Sequence, residues 1–392
     1  MTDGVASVLS RPARAPVVGV EVRRTPIGGR LDDFLNVVDR IYRGDPNYIR
    51  PLDLDLKRRL SRSNPFFDHA DGIVFTAHRN GVCVGRCTAQ IDRVHLSRYD
   101  DRTGFFGFFD TVEDEDVARA LLDAASEWVG SRGMKRIRGP LSLNMYDESG
   151  CLVEGFDTPP MIMTPHHRPY QGGLIERAGF DKVKDLYAWR YTVGEVPSRA
   201  RKAHDEIAAL PEVRARHVNM KRFDEDVRTI LDVFDDAWSD NWGHVTPSER
   251  EAARMADELR LVVIPELTYI AEIDGEPAAI ALALPNVNEL IRDFEGKLLP
   301  WGLPKLLYRL KVRGPKTARL MMLGIRKKYR NVRKYAGLST YLYVKMNEAG
   351  RRTGVSWGEL SWTLEDNGPV NVAIKFMGGK VYKRFRLYER EV

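Results

Sequence analysis

Two hairpin-like patterns recur along the chain at a spacing of 194 residues. In the first, the β-prone run 73–78 reaches the turn Asn80-Gly81 and continues as a second β-prone run. In the other, the run 267–272 reaches Asp274-Gly275. Asn-Gly and Asp-Gly between β-prone runs favour two-residue hairpin turns. Because one pattern occurs twice, we interpret the chain as two copies of one unit.

The later part of the unit is repeated as well. Residues 174–183 resemble residues 373–381, and each segment is predicted to be a helix that ends at a glycine. An aromatic strand follows in each copy, Leu186 to Tyr191 in one and Tyr382 to Tyr388 in the other. The unit therefore closes with a helix and a final strand.

A strand and an amphipathic helix lie between these landmarks in each copy. In the first copy the strand covers 103–109, and Thr111 with Asp114 suggests a capping box at the start of the helix. In the second copy the strand covers 318–325, and the helix runs from about Leu338 to Gly350. The repeated order of elements predicts an α/β unit in both copies.

A chain of 392 residues is long for a single core and suggests two domains. We place the domains at residues 21–200 and 201–392, after a tail at 1–20 that is predicted to be disordered. The three cysteines have no spacing typical of a disulfide framework or a zinc site, which favours a cytoplasmic protein without a metal. No apolar run is long enough to predict a membrane-spanning helix.

Positive charge is concentrated in one segment. Between Lys297 and Asn347 the chain has fourteen Lys or Arg residues and no Asp or Glu, against a net charge of +6 for the whole chain. Most of the central cations lie between a predicted strand and a predicted helix start, where backbone amides favour anions. They are Arg326, Lys327, Lys328, Arg330, Arg333 and Lys334. This loop predicts a site for a phosphate-bearing ligand.

The order of elements resembles the GNAT superfamily of acyl-CoA N-acyltransferases. The acyl-CoA signature of that family, Arg/Gln-x-x-Gly-x-Gly/Ala, has its nearest match at 333–338, with Gly337 as its single glycine and Leu338 after it. The segment 358–367 and Asn371 resemble the family's fifth strand and the asparagine-containing loop after it. The resemblance implies an α/β fold of two tandem GNAT-like domains, each a mixed, mostly antiparallel sheet flanked by helices.

More narrowly, the chain is similar to a bacterial tandem-GNAT group that includes the bacterial ceramide synthases. The similarity rests on motifs in the first copy, at 41–47, 64–70, 103–109 and 155–160. It implies transfer of an acyl group from acyl-CoA or another acyl thioester to an amine, such as a sphingoid base or another lipid amine. It also implies cofactor-binding roles for Arg326, Lys328, Arg330, Arg333, Lys334, Gly337, Leu338, Asn367 and Asn371.

The two copies differ in charge where the thioester would bind. At the place of the basic loop, the first copy has five acids between 110 and 116, which would repel a pyrophosphate. We therefore expect the second copy to bind the thioester. For the general base we favour Glu365, at the end of a strand, with Glu272 and Glu148 as alternatives. The superfamily's usual tyrosine proton donor could be Tyr382 or Tyr388, of which we name Tyr388.

A long irregular segment, 141–169, has no counterpart in the second copy. It is too apolar for disorder, and we expect a lid or a pocket wall between the copies, where Glu148 could meet an ammonium group. The segment Leu298 to Lys311 combines apolar residues with cations and suggests contact with an anionic membrane. We expect a cytoplasmic enzyme, with a peripheral position on the inner membrane left open.

Two other functions stay open from the sequence. One is a soluble acetyltransferase that acts on a small-molecule, peptide or aminoacyl amine. The other is a non-catalytic nucleic-acid-binding protein, which the sequence disfavours because few aromatic residues alternate with the cations, and these are concentrated in one loop. We therefore expect no nucleic-acid partner.

Overall fold

The computed structural model describes residues 19–392, so most of the predicted disordered tail at 1–20 lies outside it. The elements of the first half are β1 (Glu21–Pro26), α1 (Asp32–Ile41), α2 (Asp53–Arg59), α3 (Phe66–His69), β2 (Ala70–Arg79), β3 (Val82–Asp92), α4 (Arg93–Tyr99), β4 (Thr103–Thr111), α5 (Glu115–Gly130), β5 (Arg136–Gly139), β6 (Cys151–Glu154), α6 (Gln171–Arg177) and β7 (Asp181–Thr192).

The second half repeats much of this order. Its elements are α7 (Ser198–Ala208), β8 (Val213–His217), α8 (Phe223–Trp238), α9 (Glu249–Val262), β9 (Thr268–Ile273), β10 (Glu276–Pro285), α10 (Val287–Ile291), α11 (Gly302–Tyr308), β11 (Thr317–Ile325), α12 (Lys327–Arg330), α13 (Leu338–Thr353), β12 (Trp357–Leu364), α14 (Gly368–Phe376) and β13 (Lys380–Glu391). A π-helix at Arg309–Arg313 continues α11, and short 3₁₀ turns cover Met220–Arg222, Pro265–Leu267 and Arg333–Tyr335.

Both predicted hairpins are confirmed. The strands β2 and β3 pair antiparallel across Asn80 and Gly81, and β9 and β10 do so across Asp274 and Gly275. All four turn residues have positive φ, between 52° and 81°. Gly and Asn or Asp adopt this backbone at low cost, which explains why the turns are visible in the sequence.

Within the described residues, the strands form one continuous sheet, in the order β1-β2-β3-β4-β5-β13-β7-β12-β11-β10-β9-β8, with β6 paired to β13. Neighbouring strands are antiparallel except for the pairs β4–β5 and β11–β12, which occupy the same place in each half. The predicted fold class, a mixed and mostly antiparallel sheet flanked by helices in two similar units, is confirmed.

The halves exchange their last strands, which the sequence did not reveal. Strand β7, the end of the first half, pairs with β12 of the second half, as in the pair Trp189–Leu360. Strand β13, the end of the chain, pairs with β5 of the first half, as in the pair Tyr388–Gly139. Each half therefore completes its sheet with a strand of the other. The domain boundary near residue 200 stays a prediction.

Helices cover both faces of the sheet. In the first half α5 and α6 pack over one core, while α1, α2 and α3 cover a second one. In the second half α8 and α9 cover one face, and α7, α13 and α14 cover the other. The apolar core is thus divided by the sheet, and the face with α8 and α9 is the one that meets the 141–170 segment.

Two predicted helix ends are corrected. Helix α13 does not end at Gly350 but continues to Thr353, where Gly354 adopts the left-handed conformation at φ 78°. Helix α5 starts at Asp114 without a capping box: the Asp114 carboxylate itself accepts bonds from the backbone N–H groups of Asp116 and Val117. In both cases a residue with the right chemistry for a cap lay within four positions of the predicted one.

Candidate active site

The parallel strands β11 and β12 separate partway along their length. Their register covers four residue pairs, from Thr317–Trp357 to Leu320–Leu360, although β11 continues to Ile325 and β12 to Leu364. On its other side β11 shifts its register against β10 between the Leu320 and Met322 pairs. Such a bulge bends a strand. The result is a gap whose closed end lies at Leu320 and Leu360.

The equivalent gap in the first half is filled. Strands β4 and β5 form three pairs, ending at Phe105–Arg138, and the chain after β5 then turns back into the gap. There the Leu141 N–H donates to the Phe106 carbonyl at 2.7 Å, and the Gln90 side chain donates to the Leu141 carbonyl at 2.7 Å. A Cβ on Gly107 would lie 1.9 Å from the Leu141 oxygen. Only the second half therefore offers separated strands.

The basic loop lies at the open end of this gap, and neighbouring acids pair with most of its cations. Arg326 binds Asp232 and the Pro277 carbonyl, and Lys328 binds Glu276. Arg330 donates to the backbone carbonyls of Ile325 and Ala237, and Lys334 binds Glu212. The loop itself contains no acid, but acids of α8 and of other segments form ion pairs with its cations. The net charge around the loop is therefore less positive than the sequence of the loop suggests.

Three further predicted binding residues lie nearby. Arg333 is exposed, and no hydrogen bond or ion pair of its side chain occurs among the described residues. Gly337 precedes α13 with φ −85°, an ordinary conformation, and a Cβ there would lie 3.0 Å from Ile207 and 3.1 Å from the Ala203 carbonyl of α7. Leu338 is fully buried in the core under α13. Packing of α7 therefore explains Gly337 without a ligand.

A buried polar cluster lies at the closed end of the gap. The Arg319 Nε donates to Ser361 Oγ at 2.8 Å, and the Glu359 carboxylate lies 3.6 Å from Nε. Ser361 and Tyr382 both donate their hydroxyl protons to Glu359. Burial lowers the Arg319 pKa, although Glu359 opposes that shift; burial and the Glu359 charge together raise the Tyr382 pKa well above its usual value.

The predicted base Glu365 stays a prediction, but its carboxylate is already bonded. It accepts from Lys182 at 2.8 Å and from the Asp185 N–H at 3.0 Å, on the side of β12 away from β11. Asn367 caps α14 by accepting from the Val370 N–H, and Asn371 donates to the Leu364 carbonyl. All three residues thus hold the turn between β12 and α14.

The predicted proton donor Tyr388 stays a prediction, but the structure places it away from the gap. Because of the strand exchange, Tyr388 is fully buried in the core of the first half, with its hydroxyl 3.2 Å from Glu176. Tyr382, the alternative, lies on the same strand but beside Glu359 in the polar cluster.

The segment 141–169, for which we predict a lid or a pocket wall, packs against the second half. Arg319 donates to the carbonyls of Ile162 and Met163, each at 2.8 Å. The Lys383 ammonium, which is buried, donates to the carbonyls of Gly155 and Thr158, each at 2.7 Å, and burial lowers its pKa to about 8. Two buried cations of the second half therefore fix this segment of the first.

Between this segment and α9 lies an open cleft of about 760 Å³. Its walls come from both halves, and several charged side chains line it: Arg59, His69, Asp92, Asp147, Glu251, Arg254 and Glu258. Glu148, a predicted catalytic residue, lies beside it, with its carboxylate 3.5 Å from Arg59. The sequence reasoning singled out Glu148 but gave no role to Arg59, which lies in no local motif, or to His69, which lies in the 64–70 motif.

An apolar cavity lies on the opposite face, between the sheet and α13. It begins at Leu320 and Leu360, the closed end of the gap. Its lining also includes Tyr191, Leu267, Ala283, Ala318, Tyr343, Met346 and Met377.

The segment predicted to contact a membrane exposes large apolar side chains. Trp301 is 80% exposed, and Leu299, Leu303, Leu307, Tyr308 and Val312 are exposed beside it. Lys305 and Arg309 pair with Asp293 on the same surface. In residues 19–392, no helix has the length and apolar content to span a membrane, and no set of three His, Cys, Asp or Glu side chains could hold a metal ion.

Comparisons with known proteins show which relatives the chain resembles in sequence and in fold. A scan against protein-family models finds no match. Protein YghO of Escherichia coli (strain K12) is 40% identical over 364 residues, which are 92% of this chain and 93% of that protein. The bacterial ceramide synthase of Caulobacter vibrioides (strain NA1000 / CB15N) is 38% identical over 371 residues, which are 94% and 96% of the two chains.

Solved structures share the fold. A tandem GNAT protein from the clavulanic acid biosynthesis pathway matches with a TM-score of 0.55 at 13% identity, over 95% of this chain and 98% of that one. A GCN5-related N-acetyltransferase from Sphaerobacter thermophilus matches with a TM-score of 0.54 at 13% identity, over 95% and 96%. The chain therefore belongs to the acyltransferase family that includes the bacterial ceramide synthase of Caulobacter vibrioides, and it shares the fold of the tandem GNAT protein.

Proposed function

We propose that this enzyme transfers a long acyl group from acyl-CoA to a lipid amine, most simply a sphingoid base. The observation that carries the proposal is the contrast between the two halves. The gap between β11 and β12 is open beside a basic loop, and its counterpart in the first half is filled by residues 140–143. The similarity to a bacterial ceramide synthase supports the choice of a sphingoid base.

The thioester site would use the second half alone. The pyrophosphate of CoA lies at the 326–337 loop, where Arg333 is exposed and the ion pair of Lys328 is on the surface. Surface ion pairs contribute little, so a pyrophosphate can displace their carboxylates. The pantetheine arm extends into the gap and brings the thioester carbon to its closed end, near Leu320 and Leu360.

We place the long acyl chain in the space beyond that point. The apolar cavity under α13 begins at the same two leucines, and small residues such as Ala318 and Ala283 leave its space open. Burial of a methylene group contributes about 0.8 kcal/mol, so a long chain gains much from such a cavity. A short acetyl group would leave it empty.

The exposed apolar segment at 299–312 supports a lipid substrate. An amphipathic segment with cations beside apolar side chains binds an anionic membrane surface. The proposed location is therefore the cytoplasmic face of the inner membrane, where both the acyl chain and the amine can leave the bilayer. No covalent anchor is needed for this peripheral contact.

The chemistry requires a base for the ammonium group and a proton for the departing thiolate. We assign Tyr382 to the thiolate in place of Tyr388, because its hydroxyl lies at the polar cluster beside the gap. The sequence-based candidates for the base are Glu365 and Glu148. Glu148 lies beside the cleft, next to Arg59, whereas Glu365 would first have to leave Lys182 and the Asp185 N–H.

The test is an acyl-transfer assay with purified protein. Palmitoyl-CoA and acetyl-CoA are each combined with sphinganine and with ethanolamine, and free thiol and amide product are measured. We expect amide only from palmitoyl-CoA with sphinganine. Faster reaction of acetyl-CoA with ethanolamine would favour a soluble acetyltransferase, and no thiol release from any pair would rule out acyl transfer.

A variant pair tests the chain cavity. Ala318→Leu narrows the cavity and is expected to lower turnover with palmitoyl-CoA more than turnover with octanoyl-CoA. Ala253→Leu, at an exposed position of α9, adds the same side chain away from the cavity and serves as the control. An unchanged chain-length preference in Ala318→Leu would contradict the assigned cavity.

A further inference from the structure

The cleft between the halves contains a buried arginine that is only partly bonded. Arg59, at the end of α2, is 8% exposed, and its Nη2 donates to the Ser142 carbonyl at 2.9 Å. Its guanidinium lies over the Phe108 ring at 4.8 Å. Its Nε is buried without a partner among the described residues, although Arg59 lines the cleft. A buried N–H without a partner is costly, which indicates a ligand.

An aspartate faces the same space. The Asp147 backbone N–H is fixed by Asn144 at 3.2 Å, but no hydrogen bond to its carboxylate occurs in residues 19–392. The nearest cation is Arg59, 3.8 Å away, which is an ion pair without hydrogen-bond contact. Burial raises the Asp147 pKa to about 6, although Arg59 opposes this shift. The carboxylate is thus free to accept a proton near neutral pH.

The cleft borders the polar cluster at the closed end of the gap through Met163. Met163 lines the cleft, and its carbonyl accepts a hydrogen bond from Arg319. Arg319 in turn lies at the closed end of the gap between β11 and β12. The negative charge of Glu148 also acts on Arg319, where it opposes the lowering of the Arg319 pKa by burial. A ligand in the cleft therefore lies on the same face of the sheet as the polar cluster.

The other side chains that line the cleft suit a ligand with a long alkyl chain and a polar head group. Apolar side chains of both halves, Phe66, Leu143, Met163, Val245 and Met255, line the cleft beside the charges. At its rim His69 bonds Asp92 at 3.0 Å and Glu251 of α9 at 3.1 Å, and these two bonds raise its pKa to about 10. Arg250 of α9 also binds Asp68. These contacts hold α9 over the cleft.

We infer that this cleft binds the amine acceptor as a long-chain 2-amino alcohol, with the ammonium group at Asp147 and the neighbouring hydroxyl accepting from Arg59 Nε. The inference rests on the proposed function and adds to it a binding site for the acceptor. It also names Asp147, rather than Glu365 or Glu148, as the group that takes the proton from the substrate.

The proton and electron balance is simple. The ammonium gives one proton to the Asp147 carboxylate and becomes a neutral amine. The nitrogen lone pair then forms a C–N bond to the thioester carbon, and the C–S bond breaks with its electrons on sulfur. A second proton from nitrogen ends on the thiolate, so that one amide and one free thiol leave.

Steady-state kinetics with two amines test this site. Sphinganine carries the hydroxyl next to the amine-bearing carbon, and octadecylamine lacks it. We expect Asp147→Asn to lower kcat/KM for both amines by about 10²–10⁴-fold, the usual range for a general base, with an unchanged KM for palmitoyl-CoA. Arg59→Lys, which removes Nε, should abolish the preference for sphinganine. Asp257→Asn, on the exposed face of α9, is the matched control.

A binding measurement with wild-type protein is independent of folding in the variants and of catalysis. Calorimetric titration with sphinganine should show weaker binding as pH falls through about 6. Asp147 is faced by Arg59 and Asp55 of α2, by Glu148 of its own segment and by Arg254 of α9, and burial raises its own pKa to about 6. Affinity that does not change between pH 5 and 7.5 would overturn the assignment.

The outcomes separate this inference from the proposed function. If wild type acylates sphinganine and Asp147→Asn keeps wild-type kcat/KM, the site is wrong and the function stands. If wild type binds sphinganine with the expected pH dependence but acylates nothing, the site stands and the function fails. Equal kcat/KM for sphinganine and octadecylamine in wild type would refute the role of Arg59.

Discussion

The clearest prediction on stability concerns Arg319, which joins the two halves from inside the protein. We expect Arg319→Met to destabilise the fold strongly. The side chain has three hydrogen bonds of 2.8 Å, to Ser361 and to the carbonyls of Ile162 and Met163. Methionine keeps most of the volume but provides no donor for these acceptors.

The expected loss of stability follows from the Glu359 charge, which Arg319→Met leaves without its cation. Glu359 is fully buried and has Arg319 as its nearest cation, at 3.6 Å. Removal of one member of a buried ion pair costs about 3–5 kcal/mol, because the other charge stays buried without compensation. Glu359→Gln removes that charge, so the double variant should be less destabilised than the two single variants added together, by about 0.5–3 kcal/mol.

The assay is guanidinium unfolding, followed by circular dichroism and by tryptophan fluorescence. Free energies of unfolding are compared only where the two signals coincide, because a chain of this length can unfold in steps. Arg228→Met, at an exposed position in the middle of α8, is the control and should change the free energy by less than about 0.5 kcal/mol. If Arg319→Met behaves like Arg228→Met, or if the two substitutions are additive, the cluster does not hold the halves together.

Three other predictions concern the surface and the cleft rim. Lys328→Glu with Arg333→Glu should weaken palmitoyl-CoA binding in calorimetry with an unchanged melting temperature, and unchanged affinity would exclude this loop. Wild type should float with anionic liposomes at low salt, whereas Trp301→Ser with Leu307→Ser should stay soluble, because apolar area is lost; no flotation of wild type would remove the membrane contact. Folding raises the His69 pKa from 6.5 to about 10. The contribution of His69 to the free energy of unfolding is therefore complete below pH 6.5 and is lost as pH rises through 10. The difference in unfolding free energy between wild type and His69→Gln should therefore shrink from pH 6 to 9.5, and a constant difference would contradict this.

Local chemistry explains what could be read from the sequence. The hairpins at Asn80-Gly81 and Asp274-Gly275 were visible because these turns need positive φ, which few residues adopt. The helices that end at Gly179 and Gly378 were visible for the same reason. Each of these signals depends on the residue itself and its immediate neighbours, so a single sequence is enough to show it.

Long-range pairing explains what could not be read. Strands β7 and β13 have similar apolar patterns, and either could pair with either half, so the sequence does not reveal the exchange. For the same reason the sequence did not show that Tyr388 lies in the core of the first half. The loop cations looked unpaired because their partners, such as Asp232 and Glu212, come from distant segments. Asp147 was passed over because its raised pKa depends on burial between the halves.

The exchanged strands and the filled gap have one common consequence. The chain after β5 occupies the first half's own gap at Leu141, and the segment that follows is thereby anchored at its start. The same segment is held further along by Arg319 and Lys383, which belong to the second half. Asp147 therefore faces the cleft from a support that neither half provides alone. We propose that the filled gap, which leaves no room for a thioester in the first half, is what allows that half to shape an acceptor site for the second.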